Sequence, residues 1–246
     1  MRLKKGTSML QRKAGEVKRY RQEKKIVPII MACIALLTVI VYVISLLYTR
    51  FGSFTIQVNK MQNLNYGIAL SEHKDGKTTA RLDCRASKDI TNIDGKILDD
   101  IALGSVDGEA NGQNYMCYTF YCINTGKETV DFDYSVNIIN MTMDIEAAVR
   151  IRLIAWRNEE KISQNDYAKA KGVLPSGEPE PEPGTVPFYE KKIVCTERVE
   201  KFAPSQFVKF TIVLWLEGPD PECLDNIIGG TFKIGMNFEV IPIGGE

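Results

Sequence analysis

Residues 26–49 form an uncharged, apolar run of twenty-four residues, IVPIIMACIALLTVIVYVISLLYT. An α-helix of this length extends about 36 Å, which is enough to cross the roughly 30 Å hydrocarbon core of a bilayer. The run lacks the polar stripe of a helix that packs on a protein core. It is also longer than the apolar part of a cleaved signal peptide, and no small-residue cleavage site follows it. We therefore predict a retained transmembrane helix, a signal anchor, from Ile26 to Thr49.

Charged residues are divided unequally between the two sides of this run. Residues 1–50 carry eleven Lys and Arg and two acidic residues, a net charge of +9, whereas residues 51–246 carry twenty basic and twenty-nine acidic residues, a net charge of −9. The positive-inside rule places the basic tail, residues 1–25, in the cytoplasm and residues 50–246 outside the cell membrane. The tail is expected to lie on anionic lipid headgroups. Because topology accounts for its charge, a nucleic-acid partner is not expected.

The extracellular part has the period-two alternation of β-strands. In TFKIGMNFEV, one face carries Phe232, Ile234, Met236, Phe238 and Val240, and the other carries Lys233, Asn237 and Glu239. VDFDYSVNII and FVKFTIVLWL alternate in the same way. Weaker strand patterns cover Phe54–Val58, Leu64–Leu70, Ala80–Ala86, Tyr115–Ile123, Val149–Trp156 and Ile193–Val199. The sequence thus predicts about nine strands, each with one apolar face.

Short strands that each bury one face are typical of a two-sheet sandwich. We predict an all-β fold, a single antiparallel, jelly-roll-like β-sandwich, for residues 50–246. An immunoglobulin-like domain is less consistent with the positions of Trp156 and Trp215. The Pro/Glu-rich tract at residues 175–187 is compatible with a linker between two domains. Since only about three strands follow it, a solvated loop within one domain is the better interpretation.

Few residues offer catalytic or metal-binding chemistry. His73 is the single histidine of the chain, which excludes a catalytic or metal site that needs a second one. Asp107, Glu109 and Asn111 match the first ligand positions of a calcium loop, with oxygen ligands at alternate residues. Tyr118 stands where a bidentate Glu would close that loop, and a polar loop before the next strand explains the same residues. The three form a weak calcium candidate, and no cofactor is predicted.

An odd number of cysteines lies in the predicted extracellular part. They are Cys84, Cys117, Cys122, Cys195 and Cys223. Cys117 and Cys122 would lie roughly 16 Å apart on one extended strand and face opposite sides, so they cannot form a disulfide with each other. The sequence contains no C-x₂-C pair, the spacing that would indicate a zinc site. Buried free thiols and one or two disulfides both remain compatible with this sequence.

The stretch LWLEGPDPEC, which ends at Cys223, interrupts a strand with an acidic turn. Pro219 and Pro221 cannot donate ladder hydrogen bonds, so the strand is expected to end at Leu216. The following ECLDNII predicts a short helical cap with Ile227 and Ile228 facing the core. We expect Cys223 to be buried or bridged, because no base is evidently placed to activate it. The stretch is interpreted as a structural corner.

The C-terminal run, FVKFTIVLWLEGPDPECLDNIIGGTFKIGMNFEV, resembles the ends of anchored extracellular β-sandwich proteins of Gram-positive, clostridial-type bacteria. At a looser level it is similar to the camelysin and TasA-like matrix family. The shared elements are a strand with Trp215, an interruption, and the Gly229–Gly230 turn into a last amphipathic strand. The resemblance implies a cell-surface protein that assembles with itself or with matrix partners. The metalloprotease activity linked to camelysin is not carried over, since the chain lacks the histidines for such a metal site.

These observations favour a non-catalytic, single-pass cell-surface protein with a structural or interaction role. Its expected partners are the membrane, copies of itself or other surface proteins. An accessory or ligand-binding subunit of a membrane complex is an alternative. A hydrolase that uses two carboxylates is a further alternative, since Asp and Glu are plentiful in the chain.

Overall fold

The computed structural model describes residues 30–42, 53–58, 67–85 and 90–242. The chain divides into two compact units, Met1–Tyr48 and Thr49–Glu246. In the first unit, residues 30–42 are helical. No helix among the described residues is both long and apolar enough to cross a membrane. Both ends of the predicted transmembrane segment, residues 26–29 and 43–49, and the basic tail lie outside the described residues, so the membrane span stays a prediction.

The second unit consists mainly of β-strands, which confirms the predicted all-β class. The described strands are β1 (Ser53–Val58), β2 (Ile68–Ser71), β3 (Arg81–Arg85), β4 (Gly108–Glu109), β5 (Tyr115–Asn124), β6 (Val130–Met141), β7 (Val149–Arg157), β8 (Glu160–Ala168), β9 (Gly172–Val173), β10 (Pro179–Glu180), β11 (Val186–Pro187), β12 (Ile193–Phe202), β13 (Phe207–Leu216) and β14 (Phe232–Pro242). Three short 3₁₀ helices, Gly95–Asp100, Ile145–Ala147 and Asp225–Ile227, lie between them.

The long strands form two sheets. The smaller sheet has the order β12-β6-β14-β1-β3, and the larger has the order β11-β8-β7-β13-β5-β2, with β4 also paired to β5. β9 and β10 form a separate hairpin. The prediction of purely antiparallel sheets is wrong at two places, because β1 is parallel to β14 and β11 is parallel to β8. Both pairs join strands that are not linked by a hairpin, so no turn forces them to be antiparallel.

The two sheets pack face to face around one aromatic core. Phe238 of β14 is fully buried and its ring centroid lies 6.2 Å from that of Phe120 on β5 and 5.6 Å from that of Phe210 on β13. Tyr134 of β6 also meets Phe210 edge to face at 5.0 Å. The five inward residues predicted for the last strand are all buried: Phe232, Ile234, Met236, Phe238 and Val240. The alternation of β14 is therefore confirmed.

The corner after β13 follows the predicted course of the backbone, but two side chains differ from the prediction, and one of them is Cys223, which is half-buried rather than buried or bridged. β13 ends at Leu216, and the 3₁₀ helix Asp225–Ile227 follows with Ile227 buried. Ile228 is 71% exposed, so its predicted place in the core is wrong. The backbone becomes extended at Ile228 and then turns at Gly229, whose φ is +82°, before β14 begins. This change of direction turns the Ile228 side chain outward.

A buried ion pair holds this corner against β7. The guanidinium of Arg150 donates a hydrogen bond to the carboxylate of Asp220, and the two side chains are 5% and 1% exposed. Arg150 also donates to the carbonyls of Ala147 and Val149, each at 3.1 Å. Glu182 lies 3.9 Å from the same guanidinium. The Pro/Glu-rich tract predicted as a solvated loop therefore contacts the domain through Glu182, and it contains the short strands β10 and β11.

Candidate functional site

The outer face of the larger sheet is partly covered by residues 90–112, which we name the covering segment. Its 3₁₀ helix begins after Asp94, whose side chain accepts a hydrogen bond from the backbone N–H of Lys96 at 3.0 Å. Leu98 of this helix is fully buried against Val213 and Trp215. The covering segment thus forms a second, smaller apolar core on the face of the sheet that is turned away from the main core.

The covering segment meets Trp156 of β7 at Gly104. Gly104 has a φ of +79°, and a Cβ atom at this position would lie 2.5 Å from Cη2 of Trp156, so only glycine fits here. Lys209 of β13 pairs with Trp156 across the strands, and its ammonium lies 4.3 Å from the indole centroid. The same Nζ donates a hydrogen bond to the carbonyl of Gly104 at 3.1 Å. Trp156 is therefore held between the sheet and the covering segment.

A first cavity of about 430 Å³ opens on one side of Trp156, between the covering segment and strands β7 and β8. Its lining combines apolar and polar side chains: Leu98, Asp99, Ile101, Ala102, Leu103, Arg152, Ile154, Trp156, Lys161 and Gln164. Its volume falls within the range of small-molecule sites in proteins. Lys161 and Gln164 are exposed at its rim, where the Lys161 ammonium donates to the Gln164 side-chain oxygen at 2.9 Å.

Arg152 connects the floor of this cavity to its cover. Its guanidinium donates two hydrogen bonds to Asp166 of β8, at 2.7 and 2.8 Å, and forms an ion pair of 2.8 Å with Asp99 of the covering segment. Hydrogen bonding to Asp166 is the main cause that raises the pKa of Arg152. Because the side chain is 7% exposed and its charge is paired, Arg152 positions the covering segment rather than offering a free charge to a ligand.

A second cavity of about 230 Å³ lies on the other side of Trp156. Three aromatic and three charged side chains line it: Tyr121, Trp156, Phe207, Lys74, Glu159 and Lys209. Tyr121 and Phe207 meet edge to face at 5.6 Å. The Lys74 ammonium lies 4.9 Å from the Phe207 centroid and 2.7 Å from the Glu159 carboxylate. That hydrogen bond is the main cause that lowers the pKa of Glu159.

Glu159 reaches this cavity from a tight hairpin turn. Asn158 and Glu159 join β7 to β8 and have φ values of +51° and +70°. Two-residue turns with positive φ at both positions fit the twist of antiparallel strands, and the second position favours glycine. A glutamate there strains the backbone, a cost that proteins tend to concentrate at functional sites. The strained turn places the carboxylate beside Lys74.

The residues of the predicted calcium loop make hydrogen bonds within the protein. Asp107 accepts from the Tyr121 hydroxyl at 2.7 Å and lies 3.7 Å from Nδ1 of His73. Asn111 accepts from the backbone N–H of Cys117 at 2.9 Å. Glu109, on β4, is hydrogen-bonded to Cys84 on β3. In the described part of the chain, no group of three or more His, Cys, Asp or Glu side chains is arranged to hold a metal ion. Through its hydrogen bond with Tyr121, Asp107 lies next to the second cavity.

The cysteines of the described residues differ in burial. Cys84, Cys117, Cys122 and Cys195 are buried, Cys223 is half-buried and Cys33 is exposed on the helix of the first unit. Cys117 packs under the covering segment and Cys122 in the main core, so they face opposite sides of β5 as predicted.

Burial controls the chemistry of these thiols. It raises the pKa of Cys117 and Cys195 to about 11 and raises the pKa of Cys84 and Cys122 as well. These four groups therefore stay protonated at neutral pH, which makes them poor nucleophiles. Cys223 accepts a hydrogen bond from the Asn92 side chain at 3.4 Å and packs against the main core. The corner that contains it supplies no evident catalytic group.

The aromatic residues that line the cavities were not among the site residues predicted from sequence. Their signal was present in the strand patterns. In FVKFTIVLWL, the residues between the inward-facing ones include Phe207 and Trp215, which therefore lie on the outer face, where polar side chains are usual. Trp156 of β7 and Tyr121 of β5 lie on the same outer face, because both pair with Lys209 of β13. Large aromatic side chains in the outward phase of several neighbouring strands indicate a covered or ligand-binding outer face.

No protein-family model matches the sequence, and no curated protein matches it. Two similar solved structures are of β-glucosidase from Kluyveromyces marxianus, one in complex with glucose and one labelled with Se-Met. They are 14% and 13% identical to this chain, with TM-scores of 0.22 and 0.23. The alignments cover 72% and 73% of this chain but 15% and 17% of those chains, so this chain spans about a sixth of their length. Similarity at this level carries no inference about fold or function.

Proposed function

We propose that this chain is a single-pass, membrane-anchored cell-surface protein whose extracellular domain, residues 50–246, binds a ligand or partner and catalyses no reaction. The observation that carries the proposal is the outer face of the larger sheet, where two cavities flank Trp156. An outward face that needed only to be soluble would carry polar side chains. This face instead combines aromatic rings with charged groups, the combination common in binding sites.

The membrane anchor is supported by the sequence from Ile26 to Thr49 and by the division of charge on its two sides. A helix inserted there, with its basic tail on the cytoplasmic lipid headgroups, would present the β-domain outside the cell. The jelly-roll-like description is supported by the strand orders β12-β6-β14 and β7-β13-β5, which pair strands distant in sequence as double Greek keys do.

Binding is favoured over hydrolysis by the lining of the two cavities. Each cavity is lined by one carboxylate, Asp99 in the first and Glu159 in the second. A glycosidase mechanism of the common type needs two carboxyl groups on opposite sides of one bond. Glu159 is moreover paired with Lys74, which lowers the pKa of its carboxyl group, and a general acid would need a raised pKa. Asp99 is paired with Arg152.

Recognition through a face is also favoured over assembly through strand edges. β12, at one edge of the smaller sheet, is bulged between Val199 and Phe202, and Lys201 in this bulge has a φ of +52°. β11, at one edge of the larger sheet, has two residues and ends at Pro187. Bulges, prolines and short strands protect an edge from pairing with another chain. Self-assembly, which the matrix-family resemblance implies, would therefore have to use another surface.

Cysteine labelling on intact cells tests the proposed topology. Two single variants, Glu200→Cys on the exposed surface of β12 and Ser8→Cys in the basic tail, are treated with a membrane-impermeant maleimide. We expect the first to be labelled on intact cells and the second only after permeabilisation. Both variants also carry Cys33→Ser and Cys223→Ser, because these two thiols are exposed and half-buried, and the four buried thiols should not react in the folded protein. Labelling of Ser8→Cys on intact cells, with Glu200→Cys unlabelled, would reverse the orientation and refute a cell-surface role.

A further inference from the structure

The aromatic side chains of the second cavity lie in a row across the sheet, with Lys209 between Trp156 and Tyr121. Lys209 of β13 pairs with Trp156 of β7 on one side and with Tyr121 of β5 on the other. Phe207, two residues before Lys209, faces the same way and packs on Tyr121. Trp156 and Phe207 are half-buried, so parts of both rings remain accessible from the cavity. The row offers apolar surface to a ligand that itself has an apolar side.

The charged groups around this row already have hydrogen-bond partners within the protein. Lys74 pairs with Glu159 at 2.7 Å, Lys209 donates to the carbonyl of Gly104 at 3.1 Å, and Asp107 accepts from Tyr121 at 2.7 Å. An ionic ligand would have to break one of these pairs. A neutral ligand with hydroxyl groups can share their remaining donor and acceptor positions without doing so. The charge balance therefore favours a neutral, hydroxyl-rich ligand.

From these two observations we propose that the two cavities form a saccharide-binding groove, with a sugar ring against Trp156. A sugar ring has an apolar face of C–H groups, which matches an aromatic side chain, and a rim of hydroxyls, which matches Lys74, Glu159 and, in the first cavity, Gln164. The first cavity lies on the other side of the same Trp156, so a chain of sugar units could extend from one cavity into the other. The inference rests on the proposed binding face and assigns its ligand class.

The strained turn at Glu159 is consistent with this role. A glycine at this position would relax the hairpin but would remove the carboxylate from the cavity. Glu159 is 75% exposed and Lys74 is 46% exposed, so an ion pair between them contributes little to stability. The strain is explained if the carboxylate, held by Lys74, accepts hydrogen bonds from hydroxyl groups of the ligand.

The test uses the full chain in lipid nanodiscs, without sugar-based detergents. Maltotetraose, cellotetraose, xylotetraose and chitotetraose are titrated separately, and binding is followed by intrinsic tryptophan fluorescence and by calorimetry. The chain has two tryptophans, and Trp215 is 2% exposed, so a fluorescence change reports mainly on Trp156. We expect at least one tetraose to bind, with an affinity that changes little between low and high salt because no net charge is neutralised.

Two variants separate the groove from other aromatic surface. Trp156→Ala should weaken binding about tenfold or more, as expected for a central aromatic contact. Tyr189→Ala, an exposed aromatic outside both cavities, should leave it unchanged. Far-ultraviolet circular dichroism shows whether each variant is folded. A third variant, Glu159→Gln, keeps the size of the side chain but removes its charge, and it should weaken binding independently of Trp156.

The saccharide inference is overturned if none of the four tetraoses binds, or if Trp156→Ala binds as well as the unchanged chain. Binding of a polyanionic polysaccharide alone, with an affinity that falls steeply with salt, would also overturn it. Failure here is distinguishable from failure of the proposed function. A surface protein that is labelled correctly on intact cells and crosslinks a protein partner through the same face would keep its proposed function while losing this ligand.

Discussion

Replacing Asp220 by alanine should destabilise the domain by about 3 kcal/mol. Asp220 belongs to the acidic turn after β13, and its carboxylate is the direct partner of the Arg150 guanidinium. Both side chains are almost fully buried, at 1% and 5% exposed. Removing one partner of a buried ion pair commonly costs about 3–5 kcal/mol, because the other charge is left in a medium of low polarity.

The structure places the expected cost at the lower end of that range. After the substitution, Arg150 keeps its hydrogen bonds to the carbonyls of Ala147 and Val149, and Glu182 remains 3.9 Å away. These groups would stabilise part of the guanidinium charge. A loss of about 3 kcal/mol would still be a large fraction of the roughly 5–15 kcal/mol that stabilises a typical domain.

Urea unfolding of residues 50–246, followed by tryptophan fluorescence, measures this cost. Asp225→Ala is the matched control, since Asp225 is an exposed acid in the same connection and should change the unfolding free energy by less than about 0.5 kcal/mol. The double variant Arg150→Met with Asp220→Leu should recover much of the loss, because apolar residues can replace a buried pair. A cost below about 1 kcal/mol for Asp220→Ala would show that the pair does not hold the corner.

Three further predictions address the core, the thiols and the strained turn. Phe238→Ala removes a fully buried ring and should lower the unfolding free energy by about 3–5 kcal/mol, whereas Asn237→Ala, on the outward face, should lower it by under about 1 kcal/mol. Equal losses in urea unfolding would contradict the side-chain directions of β14. Burial raises the pKa of Cys117 and Cys195 from the ordinary 9.0 to about 11, so the folded state binds these protons more tightly than the unfolded state. The unfolding free energy should therefore fall as pH rises from about 9 to about 11, and a constant unfolding free energy over this window would contradict the burial of the two thiols. Glu159→Gly should raise the melting temperature because glycine accepts the positive φ, and a lower melting temperature would show that the turn is not strained.

The alternation of side chains predicted the interior of the fold well. In β14, five apolar residues at alternate positions are all buried, because the pleat of a strand sends them to one face. β8 was missed, since Glu160–Ala168 is polar on both faces apart from Ile162 and its last two residues. It is a strand because it pairs with β7, whose own pattern is strongly apolar. A strand that relies on its neighbour leaves little signal in its own sequence.

The candidate site depends on contacts that a single sequence does not specify. Trp156 and Lys209 meet only because of the register between β7 and β13, and Gly104 joins them through the fold of the covering segment. Asp220 and Arg150 are likewise 70 residues apart. The parallel direction of β1 beside β14 was equally hidden, since no hairpin links the two strands. Periodicity predicts which face a residue occupies, and it leaves open which distant residue shares that face.

Site-specific photo-crosslinking from the native cell membrane tests most directly whether the outer face of the larger sheet is the binding face. A photoreactive amino acid replaces Lys161, exposed at the rim of the first cavity, or Glu239, exposed on the outer face of the smaller sheet. We predict crosslinked adducts of the full-length chain from position 161 and none above background from position 239. Adducts from position 239 alone, or equal adducts from both positions, would contradict the assignment of the binding face.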